Sequence, residues 1–154
     1  MTGVQTCALP ISSPLVLSGM GGPARAAGVT VGIIYVGSRQ DYGWNQAHAV
    51  GAQALREIPG VKVVEEENVP ETDAVSKSME SMINLDGAGL VLATSFVYYT
   101  PFVVDLAKKY PDVEFRHAAP LWNKDTDPKN AGSYFGYLNQ AHYVNGVEIG
   151  RAHV

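Results

Sequence analysis

An α/β fold built on an open, doubly wound parallel sheet is predicted by three features of the sequence: apolar runs of strand length, helical stripes set between them, and Pro or Gly stops at the junctions. The first run, residues 29–36 (VTVGIIYV), is nearly continuous, as expected of a strand buried on both faces. Residues 43–58 follow with Ala47, Val50, Ala54, Leu55 and Ile58 at helical spacing, closed by Pro59-Gly60. A shorter strand is predicted over 61–65. A second helix over 72–85 carries Val75, Met79, Met82 and Ile83 on one side and stops at Asp86-Gly87.

Residues 90–94 form the third predicted strand. Pro101 stands where a third helix would open, since proline suits the first helical position. Phe102, Leu106, Ala107 and Tyr110 share one side of that helix, and Tyr110-Pro111 ends it. A fourth strand over 113–118, a polar loop over 122–130, a fifth strand over 133–137 and the start of a fourth helix over 139–147 complete the pattern. Strands alternating with helices pair in parallel through right-handed crossovers. Such a sheet binds ligands beyond the carboxyl ends of its strands.

Three loops lie at that edge, 37–42, 95–100 and 119–123. They and the residues beside them supply Tyr42, Trp44, Asn45, Phe96, Tyr98, Tyr99 and Trp122. Aromatic faces with a few amide and hydroxyl groups suit a flat, neutral, heteroaromatic ligand: a face stacks on the ring and a polar tip fixes its orientation. Asp41 is placed to accept hydrogen bonds from a sugar hydroxyl or a ring N–H.

Other functions are disfavoured. A net charge of −4 with interspersed signs leaves no basic patch for nucleic acid. No apolar run reaches the roughly 18–20 residues of a membrane-spanning helix. His48, His117 and His142 lack neighbours at metal-ligand spacing and read as core or surface residues. Glu65-Glu66-Glu67 reads as a solvated strand end, and Lys108-Lys109 as a helix C-terminus that favours positive charge. With no phosphate-cradling glycine loop, nucleophile elbow or zinc-protease motif, the sequence calls for no catalytic residue, metal or cofactor, and the chain is not expected to be an enzyme.

The two ends read differently from the middle. Residues 2–11 are what a common sequencing-library adapter encodes, and residues 149–154 are the translation of its reverse complement, which next reads as a stop. Residues 1–11 and 148–154 are therefore expected to be scars and are set aside from fold reasoning. Cys7, the single cysteine, then carries no redox information, and His153 is no ligand. Residues 12–26 resemble the tail of a signal peptide, with an apolar stretch followed by small residues at Ala24 and Ala26. The expected domain is 27–147.

Val31–Val36 leading into Asp41-Tyr42-Gly43-Trp44-Asn45-Gln46 resembles the basic membrane protein family of ABC transporter substrate-binding proteins, where a D-x-[SG]-[FWY]-N-Q element follows the first strand. Three further stretches carry the resemblance: Glu65 to Thr72 (EEENVPET), Met79 to Gly87 (MESMINLDG) and Asn130 to Tyr137 (NAGSYFGY). The resemblance implies the N-terminal lobe of a two-lobed periplasmic-binding-protein type I fold, with the second lobe missing. It also implies a purine nucleoside or nucleobase as ligand, permease subunits as partners, and an extracytoplasmic location, free or attached to the plasma membrane. Carried over, base stacking falls to Trp44 and polar contacts to Asn45 and Asp41. Trp44 stands where phenylalanine is commoner and alters pocket size. Gly37-Ser38-Arg39-Gln40 departs from the acidic or Gly-rich loop of nucleoside binders, which keeps free-base binding open. Phe96 and Trp122 are added on physical grounds. A sensor or regulatory ligand-binding domain on the same fold is the alternative reading.

Overall fold

The computed structural model describes residues 28–152. The segments 1–11 and 12–26, with Cys7 and the small-residue pair Ala24 and Ala26, and also His153, lie outside the described residues. Five strands, β1 (Val29–Ile34), β2 (Val61–Glu66), β3 (Ala88–Ala93), β4 (Glu114–Ala118) and β5 (Ala131–Tyr134), form one sheet in the order β2-β1-β3-β4-β5. Every pair is parallel. Helix α1 (Trp44–Arg56) joins β1 to β2, α2 (Ala74–Asn84) joins β2 to β3, α3 (Val104–Lys109) joins β3 to β4, and α4 (Leu138–Ala152) follows β5. This is the doubly wound parallel sheet that the alternating pattern predicts.

The two faces follow from the strand period of two. Ile34 of β1 joins Val91, Phe115, Met79 and Val103 in a large cluster beneath α2 and α3. Val31 and Ile33 point the other way, to Ala52 and Leu55 of α1. Helix α2 comes close to β1 at Gly32, where a Cβ would stand 2.8 Å from the Met82 sulfur, so a larger residue would require the Met82 side chain to move. On the opposite face an apolar groove of about 310 Å³ runs beside α1, lined by Ile33, His48, Ala52, Leu55, Leu92 and Tyr134. Helix α4 buries none of its side chains.

Pro101 opens the third helical stretch, as predicted. Thr100 before it is extended (φ −115°, ψ 126°), the conformation a following proline favours, and this kink separates the turn at Phe96–Tyr98 from the helical residues that run on into α3. Two other expectations need correcting. Strand β5 begins at Ala131, two residues before the predicted start. Its start is fixed by Asn130, whose side-chain Nδ2 lies 2.8–3.0 Å from the carbonyl oxygens of Ala107, Tyr110 and Val113 while its own carbonyl accepts from Phe115.

Glu65, the second correction, is not a solvated strand end. Its side chain is 3% exposed and pairs with Arg39 and Arg56, and Tyr35 donates its hydroxyl to it at 2.6 Å. Alternation in β2 turns this carboxylate toward the two arginines, and their charge makes its burial tolerable.

Candidate functional site

The β1–α1 loop runs from Tyr35 to Gly43, and its shape is set by side chains. Arg39 donates its backbone N–H to Glu67 at 2.9 Å and reaches Glu65 at 3.4 Å, which ties the loop to the end of β2. Asp41 then closes the N-terminus of α1. Its Oδ1 accepts the backbone N–H of Gly43 (2.9 Å) and Gln46 (3.0 Å), and its Oδ2 accepts the N–H of Asn45 (3.1 Å) and the Asn45 side-chain Nδ2 (2.8 Å). These are helix N–H groups that would otherwise lack partners. The backbone N–H of Gln46, with those of Gly43 and Asn45, holds the Asp41 carboxyl well below the usual carboxylate range. In return Gln46 Oε1 accepts the N–H of Tyr42 at 2.9 Å.

Tyr42 adopts a left-handed backbone (φ 56°) and is 95% exposed, so the loop presents it outward. Asn45 turns inward and is buried. Its Nδ2 would lie 2.9 Å from a Cβ at Gly37, so the glycine gives it room. Its Oδ1 is buried without a hydrogen-bond partner among the described residues. A lone buried amide acceptor is costly, by about 1–3 kcal/mol, unless water or a ligand satisfies it.

Trp44, the first residue of α1, bridges to the end of β3. Its indole Nε1 donates to the Thr94 carbonyl at 2.5 Å. With the ring edge pinned, its centroid lies 4.8 Å from His48 and 6.1 Å from Phe96. Phe96 meets Phe135 edge-on at 5.6 Å, and His48 meets Tyr134 at 6.1 Å. A cleft of about 200 Å³ opens here, lined by Trp44, His48, Ala118, Tyr134, Phe135 and Leu138. The Trp44–Thr94 bond spans the point where the strand order reverses between β1 and β3, the crevice in which open α/β sheets hold ligands, and the cleft extends from there toward the ends of β4 and β5.

The structure therefore brings Asp41, Trp44, Asn45 and Phe96 to one edge, with Tyr42 on the loop above. Tyr98 is placed otherwise: it is fully buried and donates its hydroxyl to the Val69 carbonyl at 2.5 Å, so it offers no surface to a ligand. Tyr99 is also buried and bonds Asp127. Trp122 packs on its own β4–β5 loop, its indole facing the Pro128 carbonyl at 3.3 Å. His48, Tyr134 and Phe135 were not singled out as ligand contacts from the sequence. Tyr134-Phe135 ends β5 at the same carboxyl edge, a signal that an earlier placement of that strand would have revealed.

Behind the site, His117 is fully buried, with Nε2 2.6 Å from the Ser95 carbonyl and Nδ1 without a partner among the described residues. Burial lowers its pKa and keeps it neutral. Among the described residues no group of three His, Cys, Asp or Glu could hold a metal ion.

Solved structures of solute-binding proteins share this parallel-sheet fold. An ABC transporter system solute-binding protein from Conexibacter woesei DSM 14684 is 21% identical with a TM-score of 0.59, over 70% of this chain and 35% of that one. ABC transporter system solute-binding proteins from Aeropyrum pernix K1 match at 26% identity and a TM-score of 0.55, over 70% of this chain and 28% of that one. The chain itself belongs to the Bmp family, ABC transporter substrate-binding protein PnrA-like, whose profile matches residues 28–152. It is 36% identical over 131 residues to a purine-binding protein of Brucella abortus (strain 2308), a match that covers 83% of this chain and 36% of that protein. The chain thus spans about a third of the length of this curated relative. The family and the sheet are those that the motifs and the strand–helix alternation imply.

Proposed function

We propose that this chain forms the first lobe of an extracytoplasmic substrate-binding protein of an ABC transporter, and that a second lobe closes over it to capture a purine nucleobase or nucleoside. The observation that carries this reading is Trp44, held by its N–H to Thr94 so that a ring face remains beside Phe96 at the sheet's switch point. A flat heteroaromatic base stacks on such a face. Asn45 supplies an acceptor with no partner among the described residues. Asp41 holds the N-terminus of α1, and with it Trp44 and Asn45, in place. Tyr42 is exposed on the loop above, where a second lobe would meet it. The purine-binding relative from Brucella supports the ligand class.

Capture by closure makes binding depend on both lobes. Residues 28–152 alone therefore bind purines weakly or not at all, and the two-lobed protein binds them with micromolar or tighter affinity. Delivery to permease subunits follows from the family. Among the described residues no helix is long and apolar enough to cross a membrane. Thermal-shift screening of the two-lobed protein against bases and nucleosides tests the reading, and no response to any purine would sink it. Trp44→Ala should weaken binding by about 1–3 kcal/mol, roughly 5- to 150-fold in Kd by calorimetry. Unchanged affinity would remove Trp44 from the site.

A further inference from the structure

Asp41 was expected to meet the ligand's donors, yet both of its oxygens are occupied. Two N–H groups reach Oδ1 and two reach Oδ2, about the full acceptor capacity of a carboxylate. A ligand N–H at Asp41 would have to displace the helix's own groups. A different carboxylate stands at the same edge with capacity to spare.

Glu71 lies on the β2–α2 loop, exposed, and accepts the hydroxyl of the buried Ser95, the one hydrogen bond its carboxylate makes among the described residues. Ser95 is a fixed point. Its own carbonyl faces His117 Nε2, the preceding carbonyl of Thr94 accepts the Trp44 indole, and the following side chain is Phe96. The loop carrying Glu71 is equally held. Val69 takes the Tyr98 hydroxyl on its carbonyl and gives its N–H to Tyr35, and Asn68 gives its N–H to Gly37. The carboxylate is thus braced from both sides, and the Ser95 that holds it stands in sequence between Thr94, whose carbonyl fixes Trp44, and Phe96.

We infer that Glu71 is a specificity-determining residue of this site, accepting a hydrogen bond from an N–H on the edge of the bound heteroaromatic ring. The inference rests on the purine reading above. A carboxylate accepts from an exocyclic amine or a protonated ring nitrogen and repels an edge that carries only acceptors. It therefore selects amino- and N–H-bearing purines over their N-methylated counterparts. Asp41 becomes a positioning residue that acts through Trp44 and Asn45.

The test is calorimetry on the two-lobed protein with adenine, 9-methyladenine and N6,N6-dimethyladenine. Glu71→Gln keeps the shape and replaces one acceptor by a donor. Adenine should bind the variant at least about tenfold more weakly, the loss typical of a hydrogen bond to a charged group. At least one methylated analogue, already weaker with the parent protein, should lose little further. Glu71→Asp should recover part of the adenine affinity. Equal losses for all three ligands would overturn the inference, because a merely structural Glu71 would act that way; so would unchanged adenine binding. If the parent protein binds none of the three and no other purine, the purine reading itself falls, and this inference with it.

Discussion

On the α2/α3 side of the sheet Ile34, Val91 and Phe115 are fully buried against Met79 and Val103, while on the α1 side Leu90 and Leu92 stay half-exposed beside a groove and Tyr134 is 40% exposed. The two sides are built from the same strands, so the difference comes from what lies over them. Two crossovers return on the first side and one on the second, because β1 to β2 runs one way along the sheet and β2 to β3 to β4 runs the other. Burial of apolar surface supplies most of the folding free energy. Stability is therefore concentrated under α2 and α3, and the aromatic cleft opens on the less covered side, where Trp44, His48 and Tyr134 meet.

The sharpest way to break this contrast is a pair of truncations. Phe115→Ala, on the sealed side, should cost about 3–5 kcal/mol in denaturant unfolding. Leu92→Ala, on the groove side, should cost about 1 kcal/mol because part of its surface is already wet. Equal losses would mean that the groove is closed in solution. A smaller effect belongs to His117, which sits on the sealed side next to Tyr99. Its folded pKa is depressed by burial, so the unfolded chain takes up the proton first. Its contribution is fully present above the unfolded value of about 6.5 and is lost as pH falls through the folded value. His117→Phe should flatten the decline in stability below about pH 6.5, measured as Tm against pH. An unchanged decline would assign it to other groups. Smallest is Tyr42→Gly. Removing a side chain from a left-handed backbone should change stability by no more than about 1 kcal/mol, with a gain if strain outweighs glycine's entropy. A clear loss would show that Tyr42 makes contacts its exposure conceals.

Much of the fold was legible because period and punctuation agreed. The apolar run around Val31 to Ile34, the helical stripe of Val75, Met79 and Met82, and the stop at Gly87 (φ 70°) each stand where the pattern put them. The rest depended on contacts between distant residues. Asn130 sets the start of β5 through three carbonyls of an earlier segment, and the small Ala131-Gly132 pair gives a weak strand signal. Aromatic residues in a loop have no period, so nothing local distinguishes buried Tyr98 from half-exposed Phe96. A carboxylate's role is equally nonlocal. Glu65 and Asp41 are committed to partners within the chain, and Glu71 is defined by a serine 24 positions away.

Trp44 and Trp122 are the two tryptophans of the chain. The first has its indole N–H fixed on a carbonyl and its ring among His48 and Phe96; the second rests on a separate loop. Indole emission shifts with the polarity around the ring. Replacing Trp122 by phenylalanine leaves one indole, already rigid and already in the crevice, so on the reading proposed above its emission, excited selectively over the tyrosines, would gauge occupancy without any attached dye.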